Sequence, residues 1–78
     1  MNVLKKNIVG PRVQEARLKH KPPLTQDQLS AKLAALGVTI DRAGISKIES
    51  STRRVYDFEL KALAKVLAVS TKSLLGED

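Results

Sequence analysis

The chain has 78 residues, room for one small domain at about 100–200 residues per domain, and its 42% hydrophobic and 28% charged residues make it globular rather than disordered. Cysteine is absent, which excludes disulfides, zinc–thiolate sites and thiol catalysis, and the uncharged run in its middle, residues 33–40, is far short of the ~20 apolar residues of a membrane span. Fourteen Lys and Arg against eight Asp and Glu give +6, and the excess is one-sided: residues 1–54 hold eleven basic and four acidic side chains, residues 55–78 three and four. Such a chain suits a polyanionic partner, nucleic acid before an anionic membrane. The start, Met1-Asn2-Val3-Leu4-Lys5-Lys6, puts charge where a secretory segment would be apolar, so the expected compartment is the cytoplasm.

No alternating strand pattern persists for more than four residues, whereas helix punctuation recurs. Gly10-Pro11 opens the first expected helix, with proline suited to a first turn and Val9, Val13 and Ala16 on one face. Pro22-Pro23 ends it, because the residue before a proline is pushed out of the α region. Thr25-Gln26-Asp27-Gln28 then reads as a capping box, followed by a Leu29, Leu33, Leu36 stripe and a Gly37 stop. Asp41 caps a third helix to about Ser50, and a polar, basic loop follows, Ser50-Ser51-Thr52-Arg53-Arg54. A fourth helix covers Asp57 to Ala68 with Leu60, Leu63, Ala64 and Leu67 at helical spacing, and Ser70 caps a short fifth through Leu74-Leu75. The expectation is all-α: a compact five-helix bundle in a single domain over residues 1–78, its core about 9–75.

The third helix carries the functional signal. At about 100° per residue, Arg42, Ala43, Ser46, Lys47 and Ser50 share one arc and Ile45 and Ile48 the other, with Gly44 between the arcs and Glu49 at the far boundary. The outward arc holds cations, hydroxyls and a methyl group, without an acid or a bulky side chain. Arg and Lys can donate to guanine O6 and N7, Ser reads a donor or an acceptor, and the Ala methyl can meet a thymine methyl. Gln26 and Gln28 lie in the amide-rich first turn of helix two, and Thr52, Arg53 and Arg54 follow helix three, so base contacts and phosphate clamps are both available.

The stretch Leu24-Thr25-Gln26-Asp27-Gln28-Leu29-Ser30-Ala31-Lys32-Leu33, then Ile45-Ser46-Lys47-Ile48-Glu49 and Ala64-Lys65-Val66-Leu67-Ala68-Val69-Ser70, resembles the lambda-repressor/Cro-like helix-turn-helix family over residues 9–75. The resemblance implies a five-helix DNA-binding domain with helix two over the backbone and helix three in the major groove. It implies Arg42, Ala43 and Lys47 as base readers with Ser46 between them, and Gln26, Ser50, Thr52 and Arg54 on phosphates. Arg53, beside Arg54 in the basic loop, joins the phosphate set. The resemblance also pairs Arg17 with Glu49 in a structural salt bridge. Two departures stand out. Eleven residues separate Leu33 from Ile45 where the family has about six, which lengthens helix two or enlarges the turn, and Ser51 stands where the family often has a left-handed glycine.

Other chemistry finds little support. His20, the one histidine, has two lysines as neighbours and no acid near it in sequence, so no metal site is expected. Glu15, Asp27 and Glu49 fall on different helices, and no enzyme or cofactor is expected. Phe58 is assigned to the core at the start of helix four, and Tyr56 to the surface, a phosphate or a dimer contact. Two aromatics are too few for single-strand stacking platforms. The leading expectation is a sequence-specific duplex-DNA-binding transcriptional regulator, a repressor by class, acting as a homodimer on double-stranded DNA. Val55-Tyr56 and helix five are the candidate dimer surfaces. The alternative is an antitoxin-like module whose main partner is a protein.

Overall fold

The computed structural model describes residues 5–78; residues 1–4, most of the charged start read above, lie outside the described residues. Five helices follow one another: α1 Gly10–Lys19, α2 Gln26–Ala35, α3 Arg42–Glu49, α4 Asp57–Leu67 and α5 Thr71–Leu74. There is no strand among the described residues. Each helix begins at a side chain that accepts otherwise orphaned amides. Asn7 Oδ1 accepts the Val9 and Gly10 N–H groups at 3.0 and 2.8 Å ahead of α1. Thr25 Oγ1 accepts the Gln28 N–H while Gln28 Oε1 accepts the Thr25 N–H, closing the capping box of α2. Asp41 Oδ1 accepts the Gly44 N–H at 2.7 Å, Glu59 Oε1 the Tyr56 N–H at 3.0 Å, and Ser70 Oγ the Ser73 N–H at 2.9 Å.

Four helices end alike, each followed by a residue with left-handed backbone. Gly37 (φ 82) follows α2, Ser51 (φ 64) follows α3, Ala68 (φ 58) follows α4 and Gly76 (φ 76) follows α5. In each case the next amide reaches back into the last turn: Val38 to the Leu33 carbonyl, Thr52 to Lys47, Val69 to Ala64 and Glu77 to Lys72, at 2.9–3.0 Å. Only the first and last of the four sites have the residue that adopts this backbone without steric cost.

The core is a single cluster centred on Val13, Leu29, Leu33, Ile45, Ile48, Leu63 and Leu74, all fully buried. Burying an aliphatic side chain is worth about 1.5–3 kcal/mol, so these seven supply a large part of the driving force. The backbone of Gly10 lies directly on the end of α3, so a Cβ at this position would collide with the Ile48 carbonyl oxygen.

The structure corrects two expected core positions and one candidate dimer position. Leu36 is exposed: α2 stops at Ala35, and left-handed Gly37 turns the chain so that Val38 and Ile40 enter the core from the connection instead. Phe58 is exposed because the inward stripe of α4 runs through Glu59, Ala62, Leu63 and Leu67, leaving Phe58 outside, stacked on Tyr56 at 6.1 Å between ring centroids. Leu74 is buried, so α5 cannot offer it as a dimer surface. Beyond Ala35 the residues before α3 form a turn rather than a longer α2. The connection of residues 36–41 is anchored by its two core side chains and by Ser30 Oγ donating to the Ile40 carbonyl at 2.5 Å.

Candidate nucleic-acid interface

The phase of α3 follows from its two ends and its core face. The Asp41 cap sets the first turn at Arg42 and Ala43, and Ile45 and Ile48 are wholly buried. That leaves Arg42, Ala43, Ser46, Lys47 and Ser50 exposed together on the opposite side, five side chains without a carboxylate. Arg42 Nε stands 4.0 Å from Asp27 Oδ1, with both side chains about 70% exposed, an ion pair worth little in water. Arg42 and Lys47, five residues apart, are separated by about 7 Å along the axis at 1.5 Å per residue.

The C-terminal end of α3 runs into the basic loop through hydroxyls. Ser50 Oγ and Thr52 Oγ1 are 2.9 Å apart, and both approach the Lys47 carbonyl. Arg53 and Arg54 then part company. Arg53 is half-buried and its guanidinium is spent inside the molecule: Nη1 and Nη2 donate to the two carboxylate oxygens of Glu59, each at 2.9 Å, and Nη1 also reaches the Arg54 carbonyl. The Glu59 hydrogen bonds hold the Arg53 guanidinium above its usual range against the opposing effect of burial. Glu59 is held below the ordinary carboxylate range, first by Arg53 and then by the Tyr56 amide, again against burial. Arg53 is therefore a brace for the loop rather than one of its outward donors, whereas Arg54 is exposed. The bidentate geometry is the strong form of this contact.

Gln26 is also drawn inward. It is half-buried, and Nε2 donates to Glu49 Oε1 at 3.1 Å. The same carboxylate receives Arg17 Nε at 2.6 Å and Nη2 at 3.0 Å, while Arg17 Nη1 donates to the Leu24 carbonyl at 2.9 Å. The Glu49 hydrogen bonds hold the Arg17 guanidinium above its usual range, outweighing its burial. Arg17, Gln26 and Glu49 thus join α1, the start of α2 and the end of α3 in one polar network beneath the exposed arc.

Sequence reasoning missed one cation here. The Lys6 N–H donates to the Ser51 carbonyl at 2.7 Å, which brings this segment alongside the loop after α3. Asn7 Nδ2 donates to the Ile48 carbonyl at 3.1 Å and the Arg53 carbonyl at 2.8 Å. Lys6, Lys47, Thr52, Arg53, Arg54 and Tyr56 consequently line one cleft. No local signal could have shown this, since the partners of Asn7 lie 41 and 46 residues away.

Elsewhere, His20 Nδ1 lies 2.9 Å from the Pro22 carbonyl, a local turn contact. Among the described residues no three His, Cys, Asp or Glu side chains gather as a metal site, and no helix is long and apolar enough to cross a membrane. Comparison with protein-family models, with curated proteins and with solved structures yields no match to this chain.

Proposed function

We propose that this chain is a sequence-specific duplex-DNA-binding transcriptional regulator of the helix-turn-helix type, acting as a cytoplasmic homodimeric repressor. The observation that carries the reading is the arc of α3: Arg42, Ala43, Ser46 and Lys47 are exposed on one face without an acid, next to the cationic cleft of Lys6, Lys47 and Arg54. A face of that chemistry fits base edges in a major groove, and the cations beside it fit the flanking phosphates. Arg42 at the helix start presents a planar fork to guanine O6 and N7, and Lys47, about 7 Å further along, meets a base pair about two steps away at 3.4 Å per step. The stacked, exposed Tyr56–Phe58 pair supplies the apolar surface for the second copy. The same pair is what favours the second reading, a module whose main partner is another protein.

Selection from random duplexes with wild type and Arg42→Ala tests this. The expected result is one motif for both, with preference relaxed by about 1–3 kcal/mol at one base pair per half-site in the variant. Identical motifs with identical information at every position would remove Arg42 from base reading. Wild type that binds no duplex even at low salt would favour the protein-partner reading.

A further inference from the structure

We propose that the cleft between the N-terminal segment and the loop after α3 seats a phosphate of the DNA backbone, with Lys6 as a contact residue that Asn7 positions. The inference rests on the DNA reading above and extends it to a segment outside the helical bundle.

The cleft draws on three separate parts of the chain: Lys6 from the N-terminal segment, Lys47 from α3, and Thr52 and Arg54 from the loop. It holds about 380 Å³, against about 30 Å³ for a water molecule in the liquid, so a phosphodiester group enters with its hydration. With Arg53 neutralised by Glu59, the cations left for a phosphate are Lys6 and Arg54, with Lys47, assigned above to a base pair, adding its charge, and Thr52 and Tyr56 complete the lining. Three like charges side by side on an exposed surface repel one another; an anion between them reverses the sign of that interaction.

Lys6 would not stand there without Asn7. The Asn7 amide uses both ends: Oδ1 accepts the amides that open α1, while Nδ2 donates to the carbonyls of Ile48 and Arg53. One side chain therefore ties the start of α1 to the end of α3 and to the basic loop, and the Lys6 N–H closes the clamp on the Ser51 carbonyl. The anchor of Lys6 is its backbone, so removing its side chain leaves the clamp intact.

The experiment is the salt dependence of binding to a labelled mixed-sequence duplex, measured for the full chain and its variants, together with their melting temperatures. Each phosphate contact contributes about 0.9 to the slope of log K against log salt, which is about eightfold in affinity at 0.1 M. Lys6→Ala is expected to melt like wild type, to lose about one unit of slope per chain and to bind about eightfold more weakly at 0.1 M salt. Asn7→Ser keeps a hydroxyl able to cap α1 but is too short to reach both carbonyls. It is expected to lose the same slope, and adding Lys6→Ala to it should cost nothing more. A steep wild-type slope left unchanged by Lys6→Ala overturns the Lys6 site and leaves the DNA reading standing. A lower melting temperature for Asn7→Ser with the slope intact overturns the positioning role. Absence of any salt-dependent wild-type binding overturns both the site and the DNA reading.

Discussion

Two arginine–glutamate pairs brace this molecule, and they differ in reach and in burial. Arg17–Glu49 joins residues 32 apart and welds α1 to α3, with side chains 10% and 4% exposed. Arg53–Glu59 joins residues six apart and braces a loop against the helix that follows, with its arginine side chain 28% exposed over a Glu59 side chain at 6%. The donor–acceptor chemistry is nearly identical, yet the consequences are not. The first pair lies within the long-range packing, where a lone charge has no water to turn to. The arginine of the second sits at the rim, where it shapes the loop that carries Arg54 and can trade part of its hydrogen bonding for solvent, although Glu59 beneath it cannot. Burial, more than hydrogen-bond count, decides what each pair is worth.

The largest expected effect is that of Glu49→Ala, which leaves Arg17 buried without its carboxylate. Breaking a buried pair costs about 3–5 kcal/mol, so urea or thermal unfolding should show a loss of that order, more than about 10 °C in melting temperature for a domain this small. A variant melting within a degree or two of wild type would mean that the two pairs do not differ as their burial says.

The adjacent arginines sharpen the comparison from the other side. Arg53→Ala strands Glu59, which is 4% exposed, and should cost about 1.5–3 kcal/mol of stability while leaving the salt slope of the proposed DNA binding near wild type. Arg54→Ala should do the reverse, leaving the melting temperature unchanged and flattening the slope by about one unit. Equal slope losses in the two variants would return Arg53 to the phosphate-facing set.

The smallest effect is in acid. Because Glu59 is held below its ordinary pKa of about 4.5, its pairing stabilises the fold fully above that value and the contribution disappears as pH falls through the lowered one. The stability gap between wild type and Glu59→Gln should therefore be constant between about pH 5 and 7 and narrow below about pH 4. A gap that persists undiminished into strong acid would remove the carboxylate's charge from the explanation.

What could be read from the sequence was local grammar. The caps at Thr25, Asp41 and Ser70 need an acceptor and an amide two or three residues on, so four consecutive letters carry them. The helical content and the inward face of α3 followed from the same short range. Leu36 and Phe58 went the wrong way because their exposure depends on helix phase and on where the chain leaves α2. The first is decided by Gly37, Val38 and Ile40 settling against the rest of the core, the second by the α4 face that Glu59, Ala62, Leu63 and Leu67 turn inward. Arg53 looked like a free cation beside Arg54, and its partner was visible only as an acid three residues after the Tyr56 cap, a pattern that fits an ordinary capping box as well. Lys6 and Asn7 carried no signal at all, their roles being set by carbonyls more than 40 residues away. The base-reading and phosphate-contacting roles themselves came from the chemistry of the α3 face and the basic loop and from a resemblance, and the structure adds exposure and proximity to that chemistry.

The close seat of Gly10 on the end of α3 limits how this chain can drift. A single methyl group there would press on the Ile48 carbonyl, and the neighbouring Glu49 carbonyl and Ser51 hydroxyl leave no side on which to place it. Every mutation away from glycine must therefore separate α1 from α3, and with them the surfaces each helix supports. By contrast, Ala31, Lys32, Ala34 and Ala35 on the outer side of α2 face solvent and admit almost any helix-forming residue. Relatives of this chain could differ at most letters of α2's outer face and still be the same molecule, while a change at this one position would produce a different one.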